Sequence, residues 1–588
     1  MDGAQGEGRK FRKLGAGIGY RTMNEHGVDA VLPFQDPRQD STGVIPAAQP
    51  EQGRSSAQAS VWTTVALAVF LLLVYSLFPT KNHYWDGIGF ALDIEGIDQD
   101  GPGVDPSIGY LRGISNVYFN PNHLLHNMIG YLIYRPLHQI APDVRALDIL
   151  KTISILSSVA SACLIFLMLS RWLRNLRLSI WLTLLMAFSA VWWKFSTDAN
   201  AYVPSVFLLV LASFLLTNPR RCPSGVKVGM LHALSMLLHQ ISIFFFPAVI
   251  VAIWAHPNWR NAREKRRAVF TYTLAAGVPV LAAYCWVWFG VLDGGWSFQE
   301  FTKWMTSNGS DVYEFKSIPS NALKSLWNLL RVFFGGRFSL AFGFIKMPWL
   351  VVLVALMLTA LACFVAGVTK ELRSRIGLPH VSDTDETPDA VRKFMMKFAL
   401  AWGGAFSLFL FFWLTQYPYY RLFFLPALIL LIGILLRSRG AEPTKHRIGP
   451  LPAFVVFMAA LNFTFYIYPY SKIEANSSRK LAADAKGIWN DDTLVLYKDF
   501  TCDNWMMKYF NTQTTWSKID FSNRENVARQ LSDALGTRRA VWVDTTVLGY
   551  LTSTPEAREW LESHASLSAN WGVANKHNYI QFAQLIRR

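Results

Sequence analysis

Long apolar runs recur along this chain from Val61 onward, separated by shorter polar and basic stretches. A helix of about 20 apolar residues crosses the roughly 30 Å of bilayer hydrocarbon. Backbone in lipid must satisfy its own hydrogen bonds, so the pattern predicts a helical membrane bundle. About eleven spans are expected, at 61–78, 148–169, 178–195, 201–217, 227–241, 242–255, 268–290, 347–368, 395–415, 422–436 and 449–468. Beyond residue 471 the period changes. Strand-like runs (DTLVLY, RAVWVDTTVL) alternate with helix-like ones (NRENVARQLSDALG), and TPEAREW reads as a Thr cap followed by Pro and acids. That alternation predicts a small α/β domain over 471–588.

Composition agrees. Of 588 residues 52% are hydrophobic and only 16% charged, which excludes an ordinary soluble domain. The net charge of +16 is explained by basic loops on one side of a membrane, such as RNAREKRR at 260–267 and the tail residues Arg9, Lys10, Arg12 and Lys13. No basic domain carries a nucleic-acid motif, so nucleic-acid binding is not expected. By this charge count residues 1–59 form a disordered cytoplasmic tail, 60–470 the membrane domain, and loops 79–147 and 291–345 and the C-terminal domain lie outside. The five cysteines show neither metal-ligand spacing nor a disulfide framework.

The candidate chemistry gathers at the outer ends of the spans. HYWDGIGFALDIEG (83–96) sets Asp86, Asp93 and Glu95 among aromatic and apolar neighbours just after the first span. VYFNPNHLLHNMIGYLIYRPL (117–137) reads as a turn at Asn120-Pro121 followed by an amphipathic surface helix carrying His123 and His126. FSTDANAYVPS supplies Asp198, Asn200 and Tyr202; His239 ends the fifth span and Arg421 follows YPYY. Ionisable groups within or at the ends of spans are usually functional.

In this order, these stretches resemble the GT-C class of membrane glycosyltransferases. The nearest likeness is to bacterial relatives of the protein O-mannosyltransferases, the glycosyltransferase family 39 type. YWDGIGF is similar to that family's W-x-D-x-G-E-F, and Asp86 matches its catalytic Asp. The second acid of that motif is Gly89 or Phe90 here, which leaves Asp93 and Glu95 as substitutes. NPNHLLHN stands near the family's His-Pro turn without superposing on it.

The resemblance implies a GT-C-like polytopic protein of about eleven helices in a bacterial inner membrane, with a periplasmic C-terminal domain. It implies transfer of a sugar from a polyprenyl-phosphate donor to a glycan, glycolipid or protein acceptor on the outer side. In that reading Asp86 is the general base, and His239 and Arg421 hold the donor phosphate, with Lys194, Arg331 and Arg337 behind them. Asn120, His123, Asp198 and Tyr202 position substrate. His123 and His126 with Asp86 leave a divalent cation open, but the spacing assigns no metal ligand set. A transporter or flippase for a lipid-linked or anionic substrate is the alternative; it would carry its charges at mid-bilayer depth.

Overall fold

The computed structural model describes residues 50–97, 119–218, 221–259, 261–292, 294–306, 317–336, 348–375, 389–437, 449–498, 501–537, 539–568, 571–574 and 579–588. The tail before residue 50, the Gly/Asp-rich stretch 98–118 and Arg337 lie outside the described residues.

Every apolar run is helical. In chain order the first helices are α1 (Pro50–Leu77), α2 (Trp85–Glu95), α3 (His126–Ile140), α4 (Ala146–Leu173), α5 (Leu176–Ala187), α6 (Ala190–Ser196) and α7 (Tyr202–Leu216). Next come α8 (Gly225–Leu238), α9 (Phe246–Ala255), α10 (Ala262–Cys285), α11 (Phe298–Met305), α12 (Ile318–Phe333) and α13 (Pro348–Arg375). The bundle ends with α14 (Asp389–Phe412), α15 (Leu425–Arg437) and α16 (Leu451–Asn462).

Among the described residues six helical segments are long and apolar enough to cross a membrane, or seven if α5 and α6, bent by 70°, count as one broken span. The chain is therefore a multi-span membrane protein. The other apolar helices are shorter: α7 has 15 residues, α8 has 14 and α15 has 13. At about 1.5 Å per residue each falls short of the roughly 30 Å hydrocarbon core. The expected eleven crossings thus exceed what helix length grants, although all eleven runs are helices.

The breaks have causes. Ser189 takes an extended conformation between α5 and α6, and this strands the Phe188 carbonyl. Asn462 on α16 catches it with Nδ2 at 2.9 Å and also holds the Phe333 carbonyl at 2.7 Å. Irregular backbone at membrane depth needs such a partner. The second break is at His239, whose extended backbone ends α8 and whose Nδ1 accepts from Ile241 N at 3.3 Å. Around it Ser205, Ser235 and Ser242 join hydroxyls at 2.7 to 2.9 Å.

The C-terminal domain is a mixed sheet with helices on both faces. Its strands are β1 (Thr493–Tyr497), β2 (Thr515–Lys518), β3 (Ala540–Val543), β4 (Ala565–Leu567), β5 (Trp571–Ala574) and β6 (Tyr579–Arg587). The order is β2-β1-β3-β6-β4, with β5 also paired to β6. β1 runs parallel to β2 and β3, while β6 is antiparallel to β3, β4 and β5. Strand alternation divides the core. Leu494, Leu496, Val541 and Val543 pack on one face with Val527, Leu531 and Val547. Val495, Tyr497 and Trp542 pack on the other with Leu481, Trp489 and Met507.

The helices of this domain are α17 (Ser477–Ala485), α18 (Cys502–Phe510), α19 (Arg524–Gly536), α20 (Thr545–Ser553) and α21 (Pro555–His564). The predicted α/β domain is present, and residues 57–588 form one compact unit. Met506 and Tyr509 of α18 share a core with Ile88, Phe90 and Leu92 of α2 and with Leu124 and Leu147. The domain therefore packs directly on the helix that carries Asp86.

Candidate functional site

Asp86 lies in the first turn of α2, where the helix dipole favours a negative charge. The helix ends at Gly96, whose φ of +69° suits glycine, with Ile97 N bonding back to Leu92 O at 2.9 Å. Asp86 is half-buried. Tyr202 donates its hydroxyl to Asp86 Oδ2 at 3.1 Å. Burial pushes the Asp86 carboxyl up to about 6, against the Tyr202 hydrogen bond, which pulls it down.

Rings close around this carboxylate. Tyr84 hydrogen-bonds Tyr419 hydroxyl to hydroxyl. Tyr202 packs on Tyr419 at 5.3 Å and on Tyr420 at 5.7 Å between ring centroids. His239 lies 4.9 Å from Tyr202, and His123 lies 4.5 Å from His239.

The segment that presents Asp86 is fixed by Asp198, which is fully buried. Asp198 pairs with Lys194 one helical turn earlier. It accepts from Tyr84 N at 2.9 Å, from Ala199 N at 2.9 Å and from His83 Nδ1 at 3.3 Å. A buried carboxylate needs such a full set of donors. Burial holds the His83 ring well below its ordinary value, at about 4, so it is neutral near pH 7. Gly87 completes the joint: a Cβ there would stand 2.4 Å from the Ala199 carbonyl oxygen.

The histidines are neutral donors and acceptors. His123 donates Nδ1–H to the Leu238 carbonyl at 3.2 Å. Burial keeps His123 near 4 and His126 near 3. In His239 Nδ1 accepts from Ile241 N, so the proton of the neutral ring sits on Nε2. That Nε2–H is buried and has no partner. Arg421 is 3% exposed and donates to the carbonyls of Tyr417 at 2.9 Å and Thr415 at 3.3 Å. Among the described residues no carboxylate pairs with it. The site thus combines a raised carboxylate and a buried imidazole donor, with Arg421 on the adjoining turn. Such a set can take a proton and bind an oxyanion.

The fold that carries these residues has a solved counterpart. ArnT from Cupriavidus metallidurans, bound to undecaprenyl phosphate, matches over 90% of this chain and 98% of its own, with a TM-score of 0.53 and 12% identity. The chain has an ArnT-like, GT-C fold. The apo state of the same ArnT matches over the same shares at a TM-score of 0.42 and 11% identity. No family model and no curated protein matches the chain. The GT-C expectation from sequence therefore stands for the fold, and the likeness adds nothing on mannosyl transfer to protein.

The residues singled out from sequence separate into two groups. Asp86, Tyr202, His123 and His239 converge, and Arg421 sits on the turn Pro418–Phe423 that delivers Tyr419 and Tyr420 to them. Asp198 reaches the site through Tyr84 rather than directly. Asp93 and Glu95 are seven and nine residues further along α2, hence about 10 Å or more down its axis. Asp93 accepts from Asn127 Nδ2 at 3.0 Å. Glu95 takes Arg145 at 2.8 Å, Ala146 N at 2.8 Å and the Tyr509 hydroxyl at 2.7 Å. Asn120 accepts from Asn122 N at 2.9 Å and caps its own turn. Lys194 is engaged by Asp198, and Arg331 is exposed on α12.

Among the described residues no three His, Cys, Asp or Glu stand close enough to hold a metal ion. Sequence reading passed over His83 and the tyrosines Tyr419 and Tyr420. Their signal was the YPYYR stretch, which looks the same as an interfacial aromatic belt.

Proposed function

We propose that this chain is a membrane glycosyltransferase that moves a sugar from a polyprenyl-phosphate donor to an acceptor hydroxyl at the outer membrane surface, with Asp86 as the base. The observation that carries the reading is the half-buried Asp86 carboxylate, raised to about 6, within a GT-C fold. ArnT of that fold binds undecaprenyl phosphate, which supports a lipid-phosphate donor here. The alternation of basic loops supports an inner-membrane orientation with the tail cytoplasmic and Asp86 periplasmic.

The step is a single displacement. The acceptor oxygen bonds to the anomeric carbon while the carbon–oxygen bond to phosphate breaks, its electron pair leaving on the phosphate. The acceptor proton passes to Asp86, whose basicity is matched to neutral pH by burial. His239 Nε2–H and the Arg421 guanidinium stabilise the negative charge developing on the lipid phosphate. Tyr202 orients Asp86, and the rings of Tyr84, Tyr419 and Tyr420 offer faces for a sugar and keep water out. Asp198 acts as a positioning residue through Tyr84. Asp93 and Glu95 stand as proposed stabilisers of α2 and its neighbours.

The test is donor consumption by the purified full chain in vesicles. Release of free polyprenyl phosphate together with a glycosylated product supports transfer. Movement of intact donor across the vesicle without cleavage would instead favour the flippase.

A further inference from the structure

A basic groove opens between α14 and α15 at the end of the bundle opposite the Asp86 site. α14 runs from Asp389 to Phe412, toward the turn Pro418–Phe423 that carries Arg421, and α15 runs back from that turn to Arg437. The start of α14 and the end of α15 therefore share the far end. Arg392, Lys393, Met396 and Lys397 of α14 and Ile434 of α15 line a groove there of about 360 Å³. Phe394, Met395, Phe398 and Ala399 turn into the bundle core, where Ile434 joins them. Lys393, Lys397 and Leu400, spaced four and three apart, are exposed on the opposite face. The Arg437 guanidinium donates to the Trp172 carbonyl and ties the end of α15 to α4.

The depth of Lys397 is the informative feature. Its helix is apolar enough to cross a membrane over Ala390–Phe412. At about 1.5 Å per residue Lys397 sits about 10 Å inside the end of that span. A charged side chain facing lipid at this depth is costly. Among the described residues no carboxylate pairs with Lys397. Helical side chains tilt toward the N-terminus, so the lysine stem leans back toward Lys393 and the membrane surface. Lipid phosphates lie at that level. Below it, Met396, Ile434 and Leu400 offer an apolar wall. A soluble anion would use the cations and leave the wall bare. A neutral lipid would use the wall and leave the ammonium uncompensated. Basic pockets between membrane helices suit anionic headgroups, and the count of basic loops puts this end on the cytoplasmic side.

We infer that the α14–α15 groove binds one anionic phospholipid of the leaflet opposite the Asp86 site. Its phosphodiester sits on Arg392, Lys393 and Lys397, and an acyl chain follows Met396, Ile434 and Leu400. The site is separate from the Asp86 machinery, so the inference stands whether or not the chain transfers a sugar.

Phosphatidylglycerol is the probe. The full chain is placed in nanodiscs of phosphatidylcholine, alone or with a rising share of phosphatidylglycerol, at fixed salt, and the thermal midpoint is followed. The wild type is expected to gain a few degrees and then level off. Lys397→Gln and Arg392→Gln should each lose most of the gain. Lys397→Arg should keep it, which guards against a glutamine variant that misfolds. Met396→Trp keeps every charge but fills the groove, and it should lose the gain too. Arg267→Gln, which removes an exposed charge at the start of α10, should keep it. A wild type without a gain would overturn the site. So would an equal loss in Arg267→Gln and Lys397→Gln, which would mean general attraction to an anionic surface. A wild-type gain in Met396→Trp would overturn the groove as the seat of the lipid.

Glycerol phosphate added to phosphatidylcholine nanodiscs at the same ionic strength separates a lipid from a free anion. No gain is expected, and a gain equal to that from phosphatidylglycerol would overturn the lipid. Native mass spectrometry of the chain released from mixed nanodiscs gives the direct count. The wild type should retain a phosphatidylglycerol, and Lys397→Gln should retain about 5-fold less, the factor one basic side chain contributes at an anionic headgroup. Equal retention by both would refute the assignment.

Discussion

At the scale of single residues, the account turns on Asp86. Its carboxyl is raised to about 6 because burial penalises the charge more than Tyr202 stabilises it. A base must be unprotonated, so kcat/KM should fall as pH drops through about 6, with a slope of one proton. His83, His123 and His126 are held at about 4, 4 and 3, so they stay neutral through that limb and do not produce it. A limb centred near 4 would assign the base elsewhere. Linkage gives a second prediction. A carboxyl raised in the folded state contributes stability at low pH that is lost as pH rises through its folded value. Asp86→Asn should therefore raise the thermal midpoint at pH 8 and leave it nearly unchanged at pH 4; a lower midpoint at pH 8 would contradict the raised value. Asp86 was legible in sequence because the ordered YWDGIGF resemblance marked it. The roles of Asp198, Asp93 and Glu95 were not, because spacing along one chain does not reveal which donors fold back onto a carboxylate. Glu95, for example, meets Tyr509, which lies 414 residues away.

At the scale of elements, the site exists because helices break. The α5–α6 bend and the turn after α6 bring Lys194 and Asp198 beneath the start of α2. Asp198→Ala would leave Lys194 buried at 5% exposure without its counter-ion. Breaking a buried pair in this way costs about 3–5 kcal/mol. A chemical or thermal unfolding series should show a loss of that size, and an effect below about 1 kcal/mol would mean the pair is not the joint described. Gly87→Ala tests the same joint from the other side. With the Ala199 carbonyl 2.4 Å from the new Cβ, α2 must shift, and the predicted result is a folded protein with impaired transfer. Wild-type activity in that variant would show that the α2 approach is not needed. All eleven apolar runs were readable as helices from composition. The α5–α6 bend was not, because Ser189 carries no Pro or Gly signal and the stranded Phe188 carbonyl is satisfied by Asn462, 274 residues away, whereas the break at His239 falls near the expected end of the fifth span.

At the scale of the whole molecule, the C-terminal domain is part of the site's frame. Its α18 covers the apolar face of α2, and Tyr509 bonds Glu95 while its carbonyl accepts from Arg145 at 2.9 Å. Hydrogen bonds to charged groups contribute about 1.5–3 kcal/mol each. Tyr509→Phe should cost stability in that range, and truncation after residue 470 should abolish activity by uncovering Ile88, Phe90 and Leu92. A truncated chain with full activity would restrict the domain to a role away from α2. The domain itself was readable from alternating strand and helix patterns. Its docking was not, since Tyr509 reads as an ordinary surface position until the fold joins it to residues 81–95.

The most direct test of the central claim is label transfer in vesicles holding either the wild type or Asp86→Asn, supplied with radiolabelled polyprenyl-phosphate sugars. The account predicts label in an acceptor fraction with the wild type and a rate about 10²–10⁴-fold lower with Asp86→Asn, the usual contribution of general base catalysis. Equal transfer by both folded proteins would contradict Asp86 as the base, and no transfer from any donor by the wild type would contradict the glycosyltransferase itself.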